Sequence, residues 1–224
     1  MELINLNDIC KTYTKSKQPV NVLKKISLAV NSGDFLGIVG ASGSGKTTLL
    51  NIIGFLDSQS SGDYIFLNKP TNKLTKKQLA KLRTENIGFI FQNFNLINSL
   101  TALENVTLPL YYKGINKRKR EAMGISALKS VGLEEKCNFY PSELSGGQCQ
   151  RVAVARAVVT KPKLILADEP TGNLDSFSGE TIKKLLFELN RKGHTIILIT
   201  HDKEFSSLLP KTATLKDGVI KVNS

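Results

Sequence analysis

The chain has 224 residues, of which 41% are hydrophobic and 22% are charged, so it can bury a core and is not a wholly disordered protein. Its 31 basic and 19 acidic residues give a net charge of +12, which favours an anionic partner such as nucleic acid, a lipid surface or nucleotide phosphates. No apolar run approaches the roughly 18 residues of a membrane-spanning helix, so a role at a membrane is expected to be peripheral.

The cysteines and the N-terminus favour a reducing compartment. Cys10, Cys137 and Cys149 are odd in number and widely separated, which argues against a disulfide framework and against a thiolate metal site. The first residues contain no basic region leading into an apolar stretch, so we expect no signal peptide.

In chain order, the first part of the sequence predicts strands around a glycine-rich loop. Apolar residues alternate with polar or small ones over 26–30, as in a half-buried strand, and 35–39 is continuously apolar, as in a strand buried on both faces. A helical pattern covers 47–56 after the loop, and a further strand is expected at 64–67.

Lys-rich, helix-forming segments follow, and they predict an inserted helical subdomain over about 93–145. Strands are expected again at 164–167 and 195–200, with an amphipathic helix at 182–189 between them. This strand–helix–strand order predicts an α/β fold with a parallel sheet. Asp217-Gly218 between apolar pairs predicts a C-terminal hairpin.

Residues 40–47, Gly-Ala-Ser-Gly-Ser-Gly-Lys-Thr, fit the phosphate-loop pattern G-x-x-x-x-G-K-[ST]. Glycines let successive N–H groups point at a polyphosphate, and a helix that begins near Gly45 adds the positive end of its dipole. Lys46 is expected to reach the β- and γ-phosphates, and the Thr47 hydroxyl to ligate Mg²⁺. The other loop residues assigned to nucleotide binding are Gly40, Ser42, Gly43, Ser44 and Thr48.

An acidic pair ends the apolar run 164–167. Asp168 is expected at the carboxyl end of a buried strand, where it can face Mg²⁺. Because adjacent residues of an extended chain point to opposite sides, Glu169 is expected to face the attacking water as general base. The alternative is an acidic pair that caps a surface strand.

Leu-Ser-Gly-Gly-Gln at 144–148 precedes a long helical pattern. Ser145 and the two glycines would make a second helix start that can accept an anion. Taken alone, such a start is more often a plain helix cap.

These motifs, in this order, resemble those of the ATP-binding subunits of ATP-binding cassette (ABC) transporters. Residues 40–47 match the Walker A motif, 164–169 the Walker B motif and 144–148 the ABC signature. Four shorter matches lie in the family's order: the adenine-stacking aromatic Tyr13, the Q-loop glutamine Gln92, the D-loop 172–175 with Asp175, and the switch histidine His201.

The resemblance implies the α/β fold of a P-loop NTPase, with a central, mostly parallel sheet and an N-terminal antiparallel β subdomain. It implies one ABC ATPase domain over 1–224, in which 1–92 and 146–224 form the catalytic core and about 93–145 the helical subdomain.

The resemblance also implies site roles, with ATP and Mg²⁺ as cofactors. Tyr13 would stack on adenine, Gln92 would contact Mg²⁺ and the attacking water, and His201 the γ-phosphate. In a dimer formed on ATP binding, expected to be a homodimer, Asp175 would connect the two sites across the interface. The residues that would cap the γ-phosphate of the other subunit's nucleotide are Ser145, Gly147 and Gln148.

Residues 91–96 and 100–106 resemble the MacB/LolD branch of the family. This branch implies a separate integral membrane permease, a location on the cytoplasmic side of the membrane, and export of a peptide, lipoprotein or antibiotic. Asn98 and Cys149 depart from the branch pattern, where proline and glutamine are usual, and neither departure removes a catalytic group.

Other function classes remain as alternatives. A soluble ABC-type ATPase could act on nucleic acid or the ribosome through the basic surface, but such relatives usually carry two cassettes or long insertions, so we expect no nucleic-acid partner. A small-molecule kinase would not explain 144–148. The basic run 113–120 is interpreted as a solvated helix start, with attraction to anionic lipid as an alternative.

Overall fold

The computed structural model describes residues 1–15 and 18–223, which form two compact units. The first unit comprises Met1–Arg83 with the C-terminal stretch from Thr195, and the second comprises Thr84–His194. The strands are β1 (Glu2–Lys15), β2 (Gln18–Asn31), β3 (Phe35–Val39), β4 (Ser61–Phe66), β5 (Lys69–Pro70), β6 (Ile87–Phe91), β7 (Leu164–Asp168), β8 (Thr195–Ile199), β9 (Lys211–Lys216) and β10 (Val219–Asn223). The helices are α1 (Lys46–Ile53), α2 (Lys76–Asn86), α3 (Ala102–Tyr112), α4 (Lys117–Ser130), α5 (Gly146–Val158), α6 (Ser176–Arg191) and α7 (Lys203–Ser207), with 3-10 turns at Glu134–Lys136 and Pro141–Glu143.

The N-terminal part of the first unit is an antiparallel sheet in the order β2-β1-β4-β5. In β2 the side chains of Ile26, Leu28 and Val30 are buried while their neighbours are exposed, which is the alternation expected of a half-buried strand. This confirms the antiparallel β subdomain.

The remaining strands of the first unit are mostly parallel. β3 lies between β8 and β9 and pairs with both in parallel, and its buried, continuously apolar sequence suits this central place. β10 pairs with β9 in the predicted hairpin, whose turn residues Asp217 and Gly218 have φ of 52° and 79°. Two positive φ values are those of a type I′ turn, which asparagine, aspartate and glycine favour.

Helix α1 is shorter than the sequence pattern predicted. It ends at Ile53 rather than near Leu56, because Phe55 adopts a φ of 56° and stacks on Tyr64 with ring centroids 5.0 Å apart. The Tyr64 hydroxyl donates to the Ile53 carbonyl at 2.9 Å, so this buried ring anchors the end of the helix to β4. Burial raises the pKa of Tyr64 well above its ordinary value.

The second unit pairs β6 and β7 in parallel, from Ile87 opposite Leu164 to Phe91 opposite Asp168. Helix α5 packs closely on this pair, since a Cβ on Gly88 would lie 2.2 Å from the Ala157 carbonyl oxygen. Helices α3 and α4 and both 3-10 turns lie between β6 and α5, where a helical segment was expected. The α/β class is thus confirmed, whereas the domain bounds stay a prediction.

The basic run 113–120 is only in part a solvated helix start. Residues 117–119 are exposed in the first turn of α4, which Asn116 caps. Lys113 instead donates to two backbone carbonyls at 3.2 and 3.4 Å, and burial lowers its pKa. The Arg120 guanidinium lies 5.1 Å from the ring centroid of Tyr111.

A helix that crosses a bilayer needs about 18 or more consecutive, mostly apolar residues. No helix within residues 1–15 and 18–223 is long and apolar enough to span a bilayer.

Candidate functional site

The glycine-rich loop connects the end of β3 to the start of α1. Gly43 and Gly45 have φ of 78° and 103°, which side-chain-bearing residues rarely adopt. A Cβ on Gly40 would lie 2.2 Å from the Leu215 carbonyl oxygen, so only glycine fits there. Gly45 is the N-cap of α1 and makes no side-chain cap, so the helix start presents backbone rather than side chain. This is the backbone-lined helix start that binds phosphate in proteins.

Two side chains of the loop fit a polyphosphate. The Lys46 ammonium donates to the carbonyls of Gly40 and Ala41 at 2.8 and 2.9 Å, so it lies over the loop. The buried Ser44 hydroxyl finds no hydrogen-bond partner among residues 1–15 and 18–223. Because an unpaired buried polar group costs about 1–3 kcal/mol, such an orphan calls for an explanation, and a phosphate oxygen supplies one.

Tyr13 lies beside this loop, on β1. Its hydroxyl donates to Asp57 Oδ2 at 2.5 Å, and the Lys11 ammonium lies 4.7 Å from its ring centroid and 2.6 Å from Asp57 Oδ1. Burial, followed by the hydrogen bond to Asp57, raises the pKa of Tyr13, and a hydrogen bond with Thr48 opposes this rise. The hydrogen bond with Thr48 places the Tyr13 hydroxyl at the first turn of α1.

Asp57 is held as a carboxylate. Burial would raise its pKa, but hydrogen bonds from Lys11 and Tyr13 outweigh burial and lower it. The tyrosine that the sequence assigned to adenine stacking is therefore fixed at its hydroxyl end, while its side chain stays 40% exposed.

His201 emerges at the same edge of the first unit's sheet as the glycine-rich loop. Ile199 pairs with Ile38, and His201 and Gly40 each follow two residues later. The side chain of His201 is exposed. Its neighbours are fixed, because the Asp202 N–H donates to Thr200 Oγ1 at 3.0 Å and the Asp202 side chain caps α7.

In the second unit, Phe91 of β6 pairs with Asp168 of β7. Gln92 is the next residue after Phe91, and Glu169 is the next residue after Asp168. The two parallel strands thus deliver both side chains at one edge. Gln92 Nε2 donates to Asn173 Oδ1 at 3.1 Å. The Gln92 side chain also lies against Gly172, where a Cβ would stand 2.8 Å from Nε2.

Glu169 corrects one argument from the sequence. Its φ is 47°, and its carbonyl accepts the Gly172 N–H at 3.0 Å, so the chain is no longer extended at the residue after Asp168. The strand alternation invoked to turn Asp168 and Glu169 to opposite sides does not apply here. A non-glycine residue in this region costs on the order of 1–3 kcal/mol, and such strain clusters at functional sites.

The signature segment forms a capping box at the start of α5. Ser145 Oγ accepts the Gln148 N–H at 3.3 Å, and Gln148 Oε1 accepts the Ser145 N–H at 2.9 Å. Gly147 is buried against Ser178 of α6. The plain helix cap, which was the alternative to an anion-binding helix start, is therefore present. Ser145 nevertheless remains exposed at the start of the helix.

Asp175 caps the neighbouring helix α6. Its carboxylate accepts the Ser178 N–H at 2.9 Å, and this backbone hydrogen bond is the main reason that the pKa of Asp175 is lowered. The caps of α5 and α6 thus lie side by side, joined through Gly147 and Ser178.

Several residues that support the site have no role assigned to them from the sequence. Gln150 and Arg156 of α5 hold backbone carbonyls on either side of Gln92, and Asn173 binds its side chain. Lys11 and Asp57 hold Tyr13. A polar residue within an apolar helix face, as at position 150, is the one hint available from sequence.

The assigned residues are divided between the two units. The first unit holds Tyr13, Gly40, Ser42, Gly43, Ser44, Gly45, Lys46, Thr47, Thr48 and His201. The second unit holds Gln92, Ser145, Gly147, Gln148, Asp168, Glu169 and Asp175.

Comparison with known proteins gives concordant matches. A family profile described as ABC transporter matches residues 23–172. The macrolide export ATP-binding/permease protein MacB of Mannheimia succiniciproducens is 48% identical over 220 residues, which cover 98% of this chain and 34% of that protein. The uncharacterized ABC transporter ATP-binding protein YvrO of Bacillus subtilis is 48% identical over 216 residues, which cover 96% of this chain and 94% of that protein. The chain therefore spans about a third of the MacB relative and nearly all of YvrO.

Two solved structures of the cassette MJ0796 share the fold. A dimeric post-hydrolysis state bound to ADP and Pi has a TM-score of 0.91 at 42% identity and covers 99% of this chain and 98% of that one. A second dimeric structure has a TM-score of 0.90 at 44% identity and covers 98% and 97%. These matches confirm the expected fold of an ATP-binding cassette.

Proposed function

Because the chain belongs to the ABC transporter family, as an ATP-binding and ATP-hydrolysing cassette, we propose that it binds Mg-ATP in a dimer and powers a membrane permease. The main observation that supports nucleotide binding is the glycine-rich loop at the start of α1. Its backbone lining at Gly40, its uncapped helix start and the ammonium of Lys46 all suit a triphosphate.

Binding would exchange contacts within the loop for contacts to phosphate. Lys46 would release the carbonyls of Gly40 and Ala41 for the β- and γ-phosphate oxygens, and the buried Ser44 hydroxyl would gain an acceptor. The remaining loop residues Ser42, Gly43 and Thr48 would line the phosphates, and Tyr13 would stack on the adenine.

Hydrolysis requires a base, and Glu169 is our assignment for it. The assignment is supported by the position of Glu169 after Asp168, at the end of a buried parallel strand, and by its left-handed backbone. Gln92, delivered by the neighbouring strand, would orient the attacking water, and His201 would contact the γ-phosphate.

Thr47, Asp168 and Gln92 are the residues that would hold Mg²⁺. A hydroxyl, a carboxylate and an amide oxygen suit this cation, which prefers oxygen ligands. When bound, Mg²⁺ would neutralise charge that develops on the phosphate oxygens.

We propose that the working unit is a homodimer closed by ATP. Ser145, Gly147 and Gln148 would cap the γ-phosphate of the nucleotide held by the second copy, and Asp175 would lie at the interface. Support comes from the exposed, anion-compatible start of α5 and from the dimeric MJ0796 structures. Hydrolysis would remove these contacts and open the dimer.

The permease would be a separate MacB-type membrane protein that exports a peptide, lipoprotein or antibiotic, with this chain bound at the cytoplasmic face. Similarity to a MacB protein, whose name includes a permease, supports this proposal. Co-purification of this chain from membranes together with a permease would support the proposed transporter, whereas its recovery with nucleic acid or ribosomes would favour the soluble alternative.

The central experiment is Glu169→Gln. Removal of the base is expected to lower ATP hydrolysis by about 100-fold or more and to leave ATP binding intact, so that a dimer accumulates with Mg-ATP. Gel filtration with and without Mg-ATP measures this, with Glu188→Gln, an exposed carboxylate on α6, as control. A Glu169→Gln variant that stays monomeric and hydrolyses normally rejects the assignment.

A further inference from the structure

A fully buried glutamine on α5 bonds to the residues beside Gln92 and Glu169. Gln150 has no exposed surface, and its Nε2 donates to the carbonyls of Phe91 at 3.2 Å and Pro170 at 2.6 Å. Phe91 directly precedes Gln92, and Pro170 directly follows Glu169. One amide group therefore joins the backbone on either side of the two neighbouring strand ends.

The orientation of this amide is fixed by its partners. Both carbonyls require N–H donors, so a reversed amide would set Oε1 of Gln150 against two carbonyl oxygens. In the observed orientation Oε1 is buried and has no hydrogen-bond donor among residues 1–15 and 18–223. A polar group that is only partly satisfied is a poor choice for filling a core, whereas an apolar side chain of the same volume would leave nothing unpaired. Its two donors, not its bulk, therefore distinguish Gln150 from such a side chain.

A second contact from the same helix holds the other side of Gln92. The Arg156 guanidinium donates to the carbonyls of Asn95 at 2.6 Å and Phe94 at 2.8 Å. Phe94 and Asn95 have φ of 60° and 49°, so this backbone is in an unusual conformation that the arginine secures. Helix α5 thus binds the segment 91–95 on both sides of Gln92.

We propose that Gln150 is a positioning residue for ATP hydrolysis, which sets Gln92 and Glu169 relative to each other and ties both to the helix that begins with the signature. This inference rests on the proposed roles of Gln92 and Glu169 but assigns to Gln150 no contact with nucleotide. A displacement at the start of α5 would then reach Gln92 and Glu169 through Gln150.

The experiment replaces the amide by an apolar chain of similar length, Gln150→Met, and compares it with Cys149→Ala, a neighbouring buried change on α5 that touches neither carbonyl. We expect Gln150→Met to lower kcat for ATP by about 10- to 100-fold, because displacements of about 1 Å at reacting groups have effects of this size. The Kd for ATP, measured with a fluorescent analogue, should stay within about twofold, and Cys149→Ala should leave both values unchanged.

A second variant helps to distinguish a loss of positioning from a folding defect. Gln150→Asn keeps an amide but is one methylene shorter, so that it cannot reach both carbonyls, and it should also lower kcat without changing Kd. Retention of full kcat in both variants overturns the inference, as does a parallel loss of kcat, ATP affinity and thermal stability. Glu169→Gln tests the proposed base directly. If Glu169→Gln loses ATP hydrolysis while both Gln150 variants keep full activity, only the role of Gln150 is refuted.

Discussion

Gly147 of α5 and Ser178 of α6 are in such close contact that a Cβ on Gly147 would stand 2.4 Å from the Ser178 hydroxyl oxygen and 2.8 Å from its Cβ. Real Cβ atoms do not approach other atoms this closely, so one of the two helix starts must move if residue 147 gains a side chain. The buried glycine of the signature therefore fixes how the capped starts of α5 and α6 pack.

The first prediction concerns this contact. Gly147→Ala should destabilise the protein by about 1–3 kcal/mol, the usual cost of overpacking, and Ser178→Gly in the same chain should restore much of the loss. Thermal unfolding measures both effects. Gly146→Ala is the matched control, because its Cβ would lie at ordinary contact distance, 3.7 Å from the Phe94 ring and 3.8 Å from the Leu174 side chain. If Gly147→Ala were as stable as Gly146→Ala, the packing described for these helix starts would be wrong.

The second prediction concerns Lys46. Lys46→Met keeps the apolar stem but removes the ammonium that lies over the carbonyls of Gly40 and Ala41. A charge-assisted hydrogen bond contributes about 1.5–3 kcal/mol, so ATP should bind about 10- to 100-fold more weakly. Titration with a fluorescent nucleotide measures this, with the exposed Lys184→Met on α6 as control. Equal affinities for the two variants would exclude the loop as the phosphate site.

Sequence alone sufficed where local pattern and tertiary environment agree. The strand 35–39 was predicted with its observed bounds, because an uninterrupted apolar run between turn residues suits burial between β8 and β9. The hairpin at Asp217-Gly218 was predictable for a similar reason, since the turn type depends on those two residues.

Three features differ from the local sequence pattern or are not encoded in it. The apolar periodicity continues past Ile53, yet α1 ends there with Gly54 as its C-cap, and Phe55 stacks on Tyr64 of β4 instead of continuing the helix. The left-handed backbone of Glu169 has no signature in the residue type. The role of Gln150 is not predictable from local sequence, because the carbonyls that it binds lie 59 and 20 residues away along the chain.

The third prediction concerns pH and Asp57. Its pKa is lower in the folded chain than the ordinary value of 3.8, so its ionised form stabilises the fold above that value, and this contribution is lost as the pH falls through the lower, folded-state pKa. Asp57→Asn should therefore unfold at a lower temperature than the unchanged protein at pH 7, and the difference should narrow as the pH falls below about 4.

Lys11→Met supplies the control for this pH effect. It removes the ammonium that lies 2.6 Å from Asp57 Oδ1, and with it a main cause of the lowered pKa. In the Lys11→Met protein, the effect of Asp57→Asn on the unfolding temperature should depend less on pH. If the difference in unfolding temperature between Asp57→Asn and the unchanged protein stayed constant from pH 7 to pH 3, the stabilising role of the ionised Asp57 would be contradicted.

The fourth prediction separates two roles of Tyr13. If the ring stacks on adenine, Tyr13→Ala should weaken ATP binding by about tenfold, because a base stacked on an aromatic ring contributes about 1–3 kcal/mol. Tyr13→Phe keeps the ring but loses the hydrogen bond to Asp57, and it should bind ATP within about threefold of the unchanged protein. Inorganic tripolyphosphate has no base, so its affinity, measured by competition, should be the same for all three proteins. If Tyr13→Phe weakened ATP binding as much as Tyr13→Ala, or if tripolyphosphate binding fell in parallel, Tyr13 would act through Asp57 on the shape of the loop and not by stacking.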